Sequence, residues 1–167
     1  DFEFDIKDLM YFRIDRKKKI HVTTLLQAIG FSKKDIVNEF YDKETFSYVS
    51  DLKKWKTKFD PENYKAKNFS EEVIDAKNNK IVVKLGEKIN FLNAKKLAND
   101  GLKEIYVSNQ SLYGKYLHNS IKVGEEEFQI GTEINETILE KILSCDIHSI
   151  DISKTNSINK GPYILQT

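Results

Sequence analysis

The sequence predicts an α+β protein. Three observations carry that prediction: an alternating apolar pattern at the start, two short capped helical runs after it, and a repeated strand–turn–helix–strand unit in the second half. With 167 residues and 40% hydrophobic side chains, the chain is long enough for one ordinary domain or two small ones. Its 27 Lys and Arg nearly cancel its 26 Asp and Glu, so any nucleic-acid contact has to come from a local patch.

Residues 2–14 read as a β-hairpin: Phe2 and Phe4 alternate with Glu3 and Asp5, Ile6, Lys7 and Asp8 supply the turn, and residues 11–14 return. Where that strand is expected to end stands RIDRKKK, residues 13–19, with five positive charges and one negative. Alone, such a run is as compatible with a solvated surface as with a nucleic-acid contact. Residues 23–30 form a short helix closed by Gly30. Ser32 opens another, capped with Asp35, whose apolar stripe is Ile36, Val37, Phe40 and Tyr41.

From Thr45 the pattern changes, and Phe46, Tyr48 and Leu52 suggest a strand. Residues 53–68 are polar, dotted with aromatics and interrupted by Pro61, as expected of a boundary. Trp55, Phe59, Tyr64 and Phe69 interleave there with Lys53, Lys54, Lys56, Lys58, Lys65 and Lys67. Two readings stand: a base-stacking platform, or aromatics anchoring a long connection to the core while the lysines stay wet.

Residues 81–108 recur 45 positions later as 126–153, without a gap. Gly86, Ile89, Asn90, Lys96, Ile105 and Ser108 match Gly131, Ile134, Asn135, Lys141, Ile150 and Ser153. Each copy predicts a strand, a glycine turn, an Asn-capped helix of about ten residues and a second strand. Neither copy buries its apolar face alone, so the two are expected to pack together. Between them, the residues around Tyr113 to Tyr116 and the turn at Gly124 predict one or two further strands.

No constellation for catalysis emerges. His21, His118 and His148 lack metal-ligand spacing, and the seven glycines make no phosphate cradle. Glu125, Glu126 and Glu127 alternate between faces of a strand, a poor metal cage. Cys145 is the only cysteine, which excludes an internal disulfide, and is expected as a buried free thiol. Its spacing from His148 does not by itself make a nucleophile and base. No apolar run approaches the roughly 20 residues that span a bilayer, and no signal peptide pattern opens the chain, so it is expected to be soluble and unexported. Both ends, DFEFD and GPYILQT, read as cut from something longer.

The run DFEFDIKDLMYFRIDRKKKIHVTTLLQAIGFSKKDIVNEFY resembles the part of the bacterial RNA polymerase beta subunit that builds its lobe. The shared patterns are D-F-E-F-D, R-I-D-R-[RK]-[RK]-K and T-x-[IL]-L-x-A-[IL]. Gly161 to Ile164, GPYI, looks like the place where the lobe resumes, and the residues between resemble the insertion called the external 1 domain or dispensable region. One departure is His21, where the family usually has proline.

The resemblance implies residues 1–44 and 158–167 as a discontinuous lobe segment and 45–157 as the inserted domain, with its repeat at 81–108 and 126–153. Phe2 to Phe4 should then lie near Pro162 to Ile164. It implies a non-catalytic portion of a cytoplasmic DNA-directed RNA polymerase, a nucleotidyltransferase whose magnesium is held by the beta-prime subunit. No cofactor is expected in this fragment, and the fragment alone is expected to be inactive. The implied partners are the beta-prime, alpha, omega and sigma subunits, downstream DNA, and transcription regulators on the insertion, with no membrane. Arg13, Arg16, Lys17, Lys18 and Lys19 are the candidate DNA-backbone contacts, suited to neutralising phosphates without reading bases. Asp15 would hold Arg13 or Arg16; alternatively, Asp5 or Asp8 pairs with one or two of these cations across the hairpin. The alternative to the whole reading is a stand-alone α+β protein–protein adaptor.

Overall fold

A computed structural model describes residues 1–64, 67–68, 71–155 and 161–167. β1 (Phe2–Phe4) and β2 (Met10–Ile14) pair antiparallel, Glu3 opposite Tyr11. Asp5 shapes their turn, its carboxylate accepting from the backbone N–H of Lys7 and Leu9. A second turn follows at Asp15 and Arg16, whose φ values of 49° and 58° supply the left-handed pair of a primed hairpin turn. It leads into β3 (Lys18–His21), which pairs with β2. Residues 13–19 are therefore the arms and tip of a second hairpin, not a strand's end. Lys18 and Lys19 conceal this strand from a reading of apolar alternation, since only Ile20 and His21 are shielded.

α1 (Val22–Ala28) ends as expected at Gly30, whose N–H donates to Gln27 O while Phe31 N–H donates to Leu26 O. α2 (Lys33–Phe40) opens with the expected Ser32–Asp35 capping box. β4 (Lys43–Val49) and β5 (Lys54–Lys58) form a hairpin with Tyr48 opposite Trp55. Then come β6 (Lys67–Asn68), β7 (Val73–Asp75), β8 (Ile81–Val83), β9 (Lys88–Ile89), α3 (Phe91–Asn99) and β10 (Glu104–Val107). β11 (Ile121–Val123), β12 (Glu126–Phe128), α4 (Glu136–Ser144), β13 (Ser149–Ser153) and α5 (Tyr163–Gln166) complete the order.

Two compact units result. The first comprises Asp1–Lys43, Lys115–Ile134 and Asp151–Thr167. Its core is Val22, Ile36, Val37, Tyr41 and Ile164, with Met10, Phe12, Leu26, Ile130 and Leu165 against it. The second comprises Glu44–Gly114 and Asn135–Ile150. These units do not coincide with a division into 1–44 plus 158–167 and 45–157, because residues 115–134 and 151–155 pack with the first. Residues 156–160, part of that expected division, lie outside the described residues.

A six-stranded sheet of order β13-β4-β5-β10-β7-β8 dominates the second unit, to which Ser149 and Ile150 of β13 belong. Residues 54–58 are thus a strand within a sheet and not part of a long connection. Trp55 is 0% exposed, its Nε1–H donating to Asn109 Oδ1 at 2.8 Å. Phe59 and Tyr64 are buried and pack ring to ring at 5.1 Å, so these aromatics anchor the core and form no stacking platform. Lys65, Phe69 and the Lys67 side chain lie outside the described residues.

Both copies of the repeat adopt the predicted glycine turn and Asn cap. Gly86 and Gly131 have φ of 78° and 81°, and Asn90 and Asn135 accept from Asn93 N–H and Ile138 N–H. The copies do not pair directly: β10 and β13 end in one sheet with β4 and β5 between them. The intervening hairpin offers each copy its own edge, which the repeat pattern alone does not reveal. Cys145 is exposed, contrary to expectation. Leu139 and Ile142 form the buried stripe of α4, and the chain leaves the helix at Cys145 before that face comes round again.

Candidate nucleic-acid interface

Strand alternation and the registers of β1, β2 and β3 sort their side chains onto two faces. Phe2, Phe4, Met10, Phe12 and Ile20 share one, and from it Met10 and Phe12 pack on the core. Glu3, Tyr11, Arg13, Lys19 and His21 share the other. There Arg13 Nε donates to Glu3 Oε1 at 2.9 Å, and Lys19 Nζ lies 3.4 Å from the same oxygen. Lys19 Nζ also stands 4.2 Å from the centre of the Tyr11 ring, which packs against His21 at 4.5 Å. The Arg13 hydrogen bond above all holds the Glu3 carboxyl below its ordinary pKa; desolvation opposes it, and Lys19 adds to the lowering.

The five candidate cations therefore fall into two sets. Arg13 and Lys19 lie on the sheet face and share Glu3. Arg16, Lys17 and Lys18 occupy the turn and the first position of β3, are exposed, and have no ion pair among the described residues. Arg13 is held by neither Asp15 nor Asp5 nor Asp8, because Glu3 lies across the strand pair from it while Asp5 is engaged by its own turn. Desolvation pushes the Asp5 carboxyl up, but the backbone hydrogen bonds from Leu9 and Lys7, with the Lys19 charge and a Tyr11 hydrogen bond, together keep it below its usual range. Glu3, Tyr11 and His21 were not among the sequence-derived candidates; recognising β3 would have placed all three beside Arg13 and Lys19.

Residues 161–167 anchor this three-stranded sheet. The Phe4 and Tyr163 rings meet edge to face at 5.3 Å, and Met10 N–H donates to Thr167 Oγ1. Tyr41 donates its phenolic proton to Gly161 O at 2.8 Å and accepts from Ile164 N–H at 3.3 Å. Phe2 to Phe4 and Pro162 to Ile164 are therefore near each other, as the lobe reading required.

His118 is buried between Ser153 Oγ and Asn38 Oδ1, and His148 is exposed. Among the described residues no three or more His, Cys, Asp and Glu gather into a metal-holding group, and no helix is long and apolar enough to cross a membrane.

The family model of RNA polymerase Rpb2, domain 2, matches residues 1–138. The chain belongs to this family. Over 170 aligned residues, covering 100% of the chain, it is 38% identical to proteins named DNA-directed RNA polymerase subunit beta in Rickettsia massiliae (strain Mtu5) and Rickettsia conorii. It is 36% identical to the protein of that name in Rickettsia prowazekii. The chain spans 12% of the length of each of these relatives. As a member of the Rpb2 domain 2 family it carries a basic hairpin whose face and tip differ in how far their charges are already satisfied.

Proposed function

We propose that the chain is a non-catalytic portion of the beta subunit of a bacterial DNA-dependent RNA polymerase, and that its second hairpin lies against the phosphate backbone of downstream DNA. The observation that carries this reading is the hairpin tip. Arg16, Lys17 and Lys18 are exposed cations free of ion pairs among the described residues, on a sheet anchored to a core by Met10, Phe12 and Tyr163. Charges on a turn neutralise phosphates without reading base edges, which suits an enzyme that transcribes any sequence.

In this proposal residues 1–44 and 158–167 belong to the lobe, and 45–157, of which 115–134 and 151–155 pack with the lobe residues, supply an accessory surface for regulators. The remaining polymerase subunits are the partners, beta-prime holds the catalytic magnesium, and the setting is cytoplasmic. Similarity to subunits named DNA-directed RNA polymerase beta supports the assignment. The packing of residues 161–167 with 1–43 supports the lobe.

The test is polymerase reconstituted with beta carrying alanine at Arg16, Lys17 and Lys18. Loss of three phosphate contacts, each worth about 0.9 in the log–log salt slope, should shorten open-complex lifetime and flatten its salt dependence by up to about 2.7. A lifetime equal to wild type across the salt series would overturn the DNA contact.

A further inference from the structure

We infer that Glu3 is a built-in competitor for DNA phosphate: it occupies Arg13 and Lys19 in the free protein and thereby limits how tightly the hairpin grips the backbone. This rests on the DNA reading above and concerns the regulation of the same surface. Arg13 and Lys19 lie directly opposite each other on β2 and β3, and Glu3 reaches both from β1, at 2.9 and 3.4 Å. One carboxylate oxygen thus stands between two cations, as a phosphate oxygen would. Lys19 is held from a second side by the Tyr11 ring, 4.2 Å from its nitrogen.

The arrangement is exposed enough to exchange. The side chains of Arg13, Lys19 and Glu3 retain 41%, 39% and 34% of their accessibility, so water and salt screen the pairs and each is weak. A phosphodiester can displace the carboxylate from either cation, but each displacement forfeits an existing contact. Net attraction then comes chiefly from Arg16, Lys17 and Lys18. Such a surface holds DNA while letting it slide past, because part of every grip is repaid by Glu3 when the phosphate leaves.

The experiment measures binding of a fluorescein-labelled mixed-sequence duplex to the 167-residue chain by anisotropy across a salt series. For three available cations the slope of log affinity on log salt is expected near about −2.7, and for Glu3→Gln, with five, near about −4.5. Affinity of the variant should rise at least about tenfold at about 20 mM salt, where additional phosphate contacts count most. Adding Arg13→Ala to Glu3→Gln should return about 0.9 of that slope. Unchanged slope and affinity for Glu3→Gln, in a chain that binds DNA and loses binding when Arg16, Lys17 and Lys18 become alanine, would overturn the role of Glu3 and leave the DNA contact standing. So would a double variant indistinguishable from Glu3→Gln. No binding by the wild type, or equal binding by the triple alanine variant, would overturn the DNA contact and the competitor with it.

Discussion

Replacing Tyr41 by phenylalanine removes one oxygen and leaves the ring in place, so its cost reports hydrogen bonding with little change in packing. That oxygen donates to Gly161 O at 2.8 Å and accepts from Ile164 N–H at 3.3 Å, in a setting where Tyr41 is 5% and Ile164 7% exposed. Without it a carbonyl and an amide are stranded away from water, at about 1–3 kcal/mol for each group left unpaired. The amide bond is long and contributes at the low end, so the expected total is about 2 kcal/mol, a factor of about 30 in the folding equilibrium.

Urea unfolding followed by circular dichroism reads that total, and hydrogen exchange at Ile164 reads its location. The Ile164 amide should exchange at least about tenfold faster in the variant if local opening carries the loss. Burial above all holds the Tyr41 phenol above its usual pKa, so the unfolded chain loses this proton first. Its contribution is whole below about pH 10 and lost as pH rises through the folded value; Tyr41→Phe should remove that part of the alkaline destabilisation. Destabilisation below about 0.5 kcal/mol with unchanged exchange at Ile164 would refute the reasoning, because two buried partners cannot both be deserted at no cost.

Other consequences are equally open to test. Desolvation, opposed by Asp151, lowers the His118 pKa, so the unfolded chain takes up the proton first as pH falls. Stability should decline from about pH 6.5 down to the folded value and then level, and His118→Gln should flatten that part of a pH series of urea midpoints. A Cβ on Gly161 would meet Tyr163 ring atoms at 2.6 Å, so Gly161→Ala should swing the ring off Phe4 and cost about 1–3 kcal/mol in thermal unfolding. Ile134 is 1% exposed, and Ile134→Asp should bury an unpaired carboxylate at a cost of several kcal/mol, visible as a lowered melting temperature.

What the sequence disclosed and what it hid divide along physical lines. Helix ends were legible because their signals are local: Gly30, Ser32 with Asp35, Asn90 and Asn135 each act within four residues of the helix they bound. The third strand was hidden because its first two residues are exposed lysines, one on each face, and its turn uses Asp15 and Arg16 at positive φ, where Asn-Gly would have announced it. Residues 54–58 were misjudged because alternate lysines mask a strand whose inward residues are only Trp55 and Thr57. At the interface, the cations were evident as a run, but their division by Glu3 depends on a strand register that no charge count contains.

The placement of Trp55 gives the chain a reporter of its own assembly. It is the only tryptophan, it sits opposite Tyr48 on one side and Val107 on the other, and its indole N–H is tied to Asn109. Tyr48 lies seven positions away, within reach of a hairpin that closes in microseconds. Val107 lies 52 positions away, and its strand arrives only after a long loop has closed. Tryptophan emission should therefore shift in two stages during refolding: a small early change as β4 meets β5, and the main blue shift when β10 docks. A nascent chain stalled before residue 104 would keep a solvent-exposed indole, making a single fluorophore a clock for long-range strand capture on the ribosome.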